Sequence, residues 1–92
     1  MKIFAYKYIV EGRVQGVGFR WFVLTAAQKL NILGTVRNTR NGNVEIFAQG
    51  TINNLEQFKS NIKKGPALSR VDSIKEVPEN INDSLKIFEV VV

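Results

Sequence analysis

Residues 6–20, YKYIVEGRVQGVGFR, are the stretch that decides the fold of this 92-residue chain. Residues 3–10 are rich in Ile, Val, Phe and Tyr, and they predict a first β-strand. From Phe19 onward, apolar residues recur at positions 19, 22, 23, 26, 27 and 30. This spacing is typical of one helix face and predicts a helix over residues 19–30. The stretch therefore predicts a strand that passes through a glycine-rich turn directly into a helix.

The turn between this strand and this helix has the chemistry of an anion site. A glycine-rich strand-to-helix junction exposes several backbone N–H groups in one concavity, which suits a ligand with several oxygens. Arg20 falls in the first helical turn, where a cation opposes the helix dipole by about 1 kcal/mol or less. A bound anion would reverse that penalty. We therefore expect a phosphate or carboxylate loop formed by Gln15, Gly16, Val17, Gly18, Phe19 and Arg20.

The remaining elements are indicated by alternation, caps and turns. Residues 33–39 and 43–49 predict two strands joined at Asn41-Gly42, a dipeptide that favours a hairpin because both residues tolerate positive φ. Residues 52–64 predict a second helix, capped by Thr51 and ended by Gly65-Pro66. Residues 71–77 predict a weaker fourth strand, and residues 85–92 predict a last one. No linker or repeat interrupts residues 1–92, so we expect a single domain.

The order of these elements, β-α-β-β-α-β plus a short final strand, predicts a ferredoxin-like α+β sandwich. In that arrangement two helices cover one face of a mixed sheet, and the third strand lies between the parallel first and second strands. The loop after strand one and the end of strand two then lie at the same end of the sheet. Asn38 is therefore expected within reach of the glycine-rich loop. Trp21 and Leu24 fall beside the apolar helix face, and we expect them to flank it rather than to form a binding platform.

Composition limits the chemistry that this site can perform. The chain has no His and no Cys, which excludes thiolate nucleophiles, Cys-ligated metals and the usual general base at neutral pH. Its net charge of +5 favours anionic partners, but the basic residues are scattered, which favours solubility over a nucleic-acid surface. Neither a signal peptide nor an apolar stretch of membrane-spanning length is visible. We therefore expect a cytoplasmic monomer that binds neither nucleic acid nor membrane.

An anion loop, an arginine and an asparagine suit a reaction at phosphorus. Arg20 can bind a phosphate bidentately, and the amide of Asn38 can hold a water without acting as a base. Phosphoryl transfer needs chiefly positioning and charge stabilisation. An alkyl phosphate would need an acid or a metal to expel its leaving group, whereas an acyl phosphate expels a carboxylate of low pKa. The residues thus favour acyl phosphate hydrolysis over phosphomonoester hydrolysis.

Two separated segments of the chain resemble the acylphosphatase family. The first is residues 10–20, VEGRVQGVGFR, which resemble the signature loop of that family. The second is residues 34–39, GTVRNT, continued at the expected spacing by Gly42, Val44 and Gly50. The resemblance extends over essentially the whole chain, including its length, its element order and the Gly-Pro after the second helix.

The resemblance implies a ferredoxin-like sandwich that hydrolyses small acyl phosphates to carboxylate and phosphate without a metal or other cofactor. Residue by residue, it implies that Arg20 binds the substrate phosphate and that Asn38 orients the attacking water. The family usually has an aromatic residue at the position of Thr35, and we expect this difference to change packing near the site.

Two other classes of function remain open at this point. Ferredoxin-like sheets with basic charge also bind RNA, by stacking bases on aromatic residues of the first and third strands. Here the third strand offers only Phe47, and the RNP pattern is missing. The second alternative is a non-catalytic phosphate-sensing module, or a domain that belongs to a larger maturation enzyme.

Overall fold

The computed structural model describes residues 1–92, which form five strands and two helices. In chain order these are β1 (Phe4–Arg13), α1 (Phe19–Lys29), β2 (Leu33–Asn38), β3 (Val44–Gly50), α2 (Ile52–Lys64), β4 (Arg70–Pro78) and β5 (Phe88–Val90). The order of elements along the chain is the one predicted from the sequence.

The five strands form one mixed sheet with the spatial order β4-β1-β3-β2-β5. Strand β3 lies between β1 and β2 and is antiparallel to both, so β1 and β2 run in the same direction. Strand β4 pairs antiparallel with β1, and β5 pairs parallel with β2. The ferredoxin-like α+β fold is therefore confirmed. This topology brings the loop after β1 and the end of β2 to one end of the sheet.

Both helices bury the apolar faces that the sequence predicts. In α1 the buried side chains are Phe19, Val23, Ala26 and Ala27. Phe22, and Leu30 directly after the helix, are half-buried at the border of the core. In α2 the buried side chains are Leu55, Phe58 and Ile62. They form one core of 16 residues together with buried side chains of the sheet and with Val14 and Ile32 of the connecting segments. Neither helix is long and apolar enough to cross a membrane.

The second helix has the predicted bounds because its two ends are specified locally. Thr51 precedes α2 in an extended conformation, and its side-chain oxygen accepts a 3.3 Å hydrogen bond from the N–H of Asn54. This bond satisfies one of the N–H groups that a helix start leaves free. At the other end, the N–H of Gly65 donates to the carbonyl of Asn61, and Pro66 then prevents the helix from continuing.

The first strand is longer than predicted and ends just before the candidate loop. Strand β1 continues beyond Val10 to Arg13, with a bulge between Glu11 and Gly12 where it pairs with β4. Gly12 has a φ of 137° there, and a Cβ at this position would collide with the carbonyl oxygen of Arg70. The loop itself therefore begins after β1, and Gly12 allows two backbones to approach each other.

Two other expectations were wrong in detail. The last strand occupies Phe88–Val90 rather than residues 85–92, since only this short segment pairs with β2. In the β2–β3 connection only Gly42 takes a positive φ, of 90°, and Asn41 does not. The connection is longer than a two-residue hairpin turn, and the N–H of Thr39 closes it with a 2.9 Å bond to the carbonyl of Asn43.

Candidate active site

A cavity of about 320 Å³ lies where the loop after β1, the start of α1, the end of β2 and strand β5 meet. Its volume is at the lower end of the range for small-molecule sites. Arg20 and Asn38 both line it, as do two of the loop glycines. The complete lining is Val14, Gly16, Gly18, Phe19, Arg20, Trp21, Asn38 and Val90.

The loop presents free backbone donors between two anchored residues. Val14 before it and Phe19 after it are each 1% exposed, so the core fixes both ends. Gly18 precedes α1 in the left-handed conformation, with φ 76° and ψ 19°, and no side chain caps the helix. None of the backbone N–H groups from residue 15 to residue 21 donates to another protein group. The start of α1 and the loop before it therefore bring several unpaired backbone N–H groups close together, an arrangement that suits an anion.

Arg20 adds a full positive charge to this set of donors. It lies in the first turn of α1, which contains no acidic residue. It takes part in none of the four ion pairs of the protein. Its guanidinium thus has no carboxylate partner in the chain. Both the helix dipole and the net charge of the protein disfavour a positive charge at this position until an anion binds.

Asn38 is the last residue of β2 and lies opposite Val44 of β3. Its Oδ1 is the one buried side-chain polar atom of the protein that has no hydrogen-bond partner. A buried acceptor without a partner costs roughly 1–3 kcal/mol. This unpaired acceptor belongs to a residue that lines the cavity, so the side chain of Asn38 is a candidate to bind a group other than the protein itself.

The structure divides the residues of the predicted loop into two groups. Gly16, Gly18, Phe19 and Arg20 line the cavity, whereas Gln15 and Val17 do not. Val17 packs against the core, and the side chain of Gln15 is bonded to the β2–β3 connection.

The cavity also contains residues that sequence reasoning missed. Trp21 and Val90 line it, although Trp21 was expected only to flank the core face of α1. The available signal was the position of Trp21, a large apolar residue off the buried helix face and next to Arg20. Val90 had no signal, because only the pairing of β5 with β2 brings it there. Thr35 lies outside the cavity lining and opposite Phe47 of β3.

Other polar features of the molecule lie outside this cavity. A larger cavity of about 440 Å³ between α2 and the β1–β4 side of the sheet is crossed by the ion pair of Lys59 and Glu76 at 3.1 Å. On the edge strand β4, the Arg70 guanidinium holds the pKa of the Asp72 carboxyl below its usual value. No three or more acidic side chains lie together as a metal site would require.

The fold and the cavity together define a ferredoxin-like α+β domain with a candidate anion site at the junction of β1 and α1. The acylphosphatase family model matches residues 6–90 of the chain. The acylphosphatase of Koribacter versatilis is 45% identical over 84 residues, which are 91% of this chain and 76% of that protein. The chain therefore belongs to the acylphosphatase family.

Solved structures agree with this assignment. A crystal structure of acylphosphatase from Bacillus subtilis has a TM-score of 0.93 and 39% sequence identity, over 97% of this chain and 99% of that one. A crystal structure of full-length HypF in a phosphate- and nucleotide-bound form has a TM-score of 0.88 and 34% identity. That match covers 99% of this chain but only 12% of HypF, so the same domain also occurs within a much longer protein.

Proposed function

We infer that the cavity binds the phosphate of an acyl phosphate and hydrolyses the compound to a carboxylate and inorganic phosphate. The family assignment supports this activity, since the relatives of this chain are named acylphosphatases. The observation on which the assignment of residues depends is that Arg20 and Asn38, 18 positions apart in the sequence, line the same cavity.

The loop and Arg20 are the phosphate-binding part of the proposal. The free N–H groups of residues 15–21 can each donate to a phosphate oxygen. The planar guanidinium of Arg20 can donate two parallel bonds to the same group. Both sets of donors are in place before substrate binds. They can therefore stabilise the charge that develops on the equatorial oxygens without reorganising during the reaction.

Asn38 is the water-positioning residue of the proposal. Its Oδ1 has no partner in the protein, and the residue lines the cavity, so its side-chain amide can hold a water molecule there. An amide is not a base of useful strength, so Asn38 can orient the water but cannot take its proton. Because proximity and orientation alone contribute several orders of magnitude to rates, this role is sufficient for an activated substrate.

The reaction needs no protein acid or base when the substrate is an acyl phosphate. The water oxygen forms a bond to phosphorus while the bond from phosphorus to the acyl oxygen breaks. The electron pair of that bond leaves with the carboxylate. A proton of the water passes to a phosphate oxygen, which gives inorganic phosphate. The chain has no His or Cys to act as acid or nucleophile, and a carboxylate leaving group requires neither.

The same proposal treats residues 1–92 as one domain that acts as a monomer without a metal or other cofactor. A single core of 16 residues joins the sheet to both helices.

The test is hydrolysis of benzoyl phosphate by the purified protein in the presence of EDTA. We expect Arg20→Ala and Asn38→Ala each to lower kcat/KM by roughly 10²–10³-fold, the usual cost of removing one positioned polar group. Arg40→Ala and Asn53→Ala are matched controls, because both residues are exposed and neither lines the cavity. Circular dichroism establishes that all four variants are folded.

The possible results separate the proposed function from its alternatives. Absence of hydrolysis above the uncatalysed rate, or wild-type rates in both Arg20→Ala and Asn38→Ala, would overturn the enzymatic proposal. Binding of inorganic phosphate without hydrolysis would indicate the phosphate-sensing module, and tight RNA binding without hydrolysis would indicate the RNA-binding module. Inhibition by EDTA would contradict metal-independent hydrolysis.

A further inference from the structure

Trp21 is the most exposed aromatic residue of the chain, and it lies beside the candidate site. Its side chain is 70% exposed, whereas the other apolar residues near the start of α1 are buried or half-buried. A single exposed apolar residue needs no explanation in a soluble protein. Trp21 differs from such a residue because it also lines the cavity that contains Arg20 and Asn38.

The cavity lining combines polar and apolar parts. The loop glycines, Arg20 and Asn38 supply donors and an acceptor, and four of the eight lining residues are hydrophobic. Two of those four, Val14 and Phe19, are buried in the core. The other two, Trp21 at 70% and Val90 at 37%, are the exposed apolar residues of the lining, and they come from α1 and β5 respectively.

The cavity is also larger than a phosphate requires. A phosphate displaces two or three waters, or about 60–90 Å³ at about 30 Å³ for each water. The cavity holds about 320 Å³, which leaves room for a further group of several non-hydrogen atoms. An acyl group attached to a phosphate in the loop would have that remaining space, which Trp21 and Val90 line.

We propose that Trp21, together with Val90, forms an acyl-group subsite that selects acyl phosphates with aromatic or other large apolar acyl groups. This inference rests on the proposed function, since it assumes that the loop and Arg20 hold the phosphate. An indole ring offers a large flat apolar surface with few rotatable bonds, and aromatic rings gain additional energy by packing on it. Acetyl phosphate, with a single methyl group, gains little from the same surface.

The test compares benzoyl phosphate with acetyl phosphate in wild type, Trp21→Ala and Trp21→Phe. We expect Trp21→Ala to raise KM for benzoyl phosphate about tenfold, the loss expected for one aromatic contact. Its KM for acetyl phosphate should change less than about twofold. Because the contact exists in both the ground state and the transition state, kcat should stay nearly constant. Trp21→Phe should retain most of the preference for benzoyl phosphate.

Leu68→Ala is the matched control, since Leu68 is 72% exposed and does not line the cavity. It should leave both KM values unchanged. Wild-type KM values for both substrates in Trp21→Ala would overturn the subsite while leaving the proposed function intact. An equal loss on both substrates would also overturn it, because that result indicates a structural role. If wild type hydrolyses neither substrate, the proposed function itself fails.

Fluorescence provides a second readout that does not depend on turnover. Trp21 is the only tryptophan of the chain, so the tryptophan emission of the protein reports on the cavity alone. Phenylphosphonate should change the intensity or wavelength of this emission, and inorganic phosphate should compete with it. Methylphosphonate should compete as well but should change the emission much less. Equal effects of the two phosphonates would contradict contact between Trp21 and the aromatic group.

Discussion

The side-chain amide of Gln15 is bonded to the carbonyl of Thr39, 24 residues further along the chain, with an Nε2–O distance of 2.8 Å. The same nitrogen donates to the carbonyl of Asn43, also at 2.8 Å. One side chain therefore joins the candidate phosphate-binding loop to both ends of the β2–β3 connection. Asn38 directly precedes this connection, so Gln15 fixes the position of the loop relative to the candidate water-binding residue.

Replacing Gln15 with leucine should impair hydrolysis more than stability. Both carbonyls keep another donor, because the N–H of Gly42 donates to Thr39 and the N–H of Thr39 donates to Asn43. The free energy of unfolding, measured in urea, should therefore fall by only about 1–2 kcal/mol. A displaced loop changes the distance between phosphate and water, so kcat/KM on benzoyl phosphate should fall roughly tenfold to a hundredfold.

Gln28→Leu is the control for this substitution. Gln28 lies exposed on α1, and its side chain takes part in no hydrogen bond. The Gln28→Leu variant should retain the wild-type kcat/KM on benzoyl phosphate. Unchanged activity in Gln15→Leu would show that Val14 and Phe19 position the loop without help from Gln15.

Replacing Asn38 with leucine should separate stability from activity. The buried Oδ1 of Asn38 has no partner, and an apolar side chain of similar size removes that cost. We therefore expect the urea-unfolding free energy of Asn38→Leu to equal or exceed that of wild type by up to about 1 kcal/mol. Hydrolysis of benzoyl phosphate should fall by roughly 10²–10³-fold. A loss of more than about 2 kcal/mol in stability would mean that Oδ1 is satisfied in solution, for example by an ordered water.

The predicted features that the structure confirms are those encoded by neighbouring residues or by a general rule of topology. The bounds of α2 follow from Thr51 at its start and from Gly65-Pro66 at its end, which act within one helical turn. The meeting of Arg20 and Asn38 at one cavity follows from a topological rule, because a βαβ unit places both loops at one end of the sheet.

The features that sequence reasoning missed depend on partners far away in the chain. Strand β1 continues to Arg13 because β4 pairs with it, and no property of residues 11–13 alone specifies that partner. Strand β5 is limited to the three residues that pair with β2, and that pairing depends on a strand about 50 positions earlier in the chain. The same pairing brings Val90 into the cavity lining, and the residues next to Val90 in the sequence do not predict that position.

Two glycines of the signature segment should respond differently to substitution by alanine. At Gly12 a Cβ would collide with the carbonyl oxygen of Arg70, and the backbone there cannot move without disturbing the pairing of β1 with β4. At Gly18 a Cβ would meet no atom within 4 Å, so only the strain of a positive φ remains. We expect Gly18→Ala to lower the unfolding free energy by about 1–2 kcal/mol. Gly12→Ala should lower it by more than about 3 kcal/mol or prevent folding. Urea unfolding of both variants measures the difference, and equal losses would contradict this interpretation of Gly12.

Tyr8 should make the stability of the protein depend on pH in the alkaline range. Burial of its phenol raises its pKa well above the usual value, with smaller contributions from Glu76 and Tyr6. Above about pH 10 the phenol ionises in the unfolded chain but stays protonated in the folded one. The folded state then binds more protons, so the free energy of unfolding falls as pH rises, by up to about 1.4 kcal/mol for each pH unit.

Below about pH 10 the phenol is protonated in both states, so its contribution to the free energy of unfolding is fully present. At neutral pH the free energy of unfolding of Tyr8→Phe should match that of wild type within about 1 kcal/mol. The two proteins should diverge above about pH 10, where wild type loses stability more steeply than Tyr8→Phe. The chain has two tyrosines, so in Tyr6→Phe the absorbance of tyrosinate reports Tyr8 alone. This absorbance should stay low until the protein unfolds. Parallel stability profiles of wild type and Tyr8→Phe, or early ionisation in Tyr6→Phe, would mean that water reaches the phenol in the folded state.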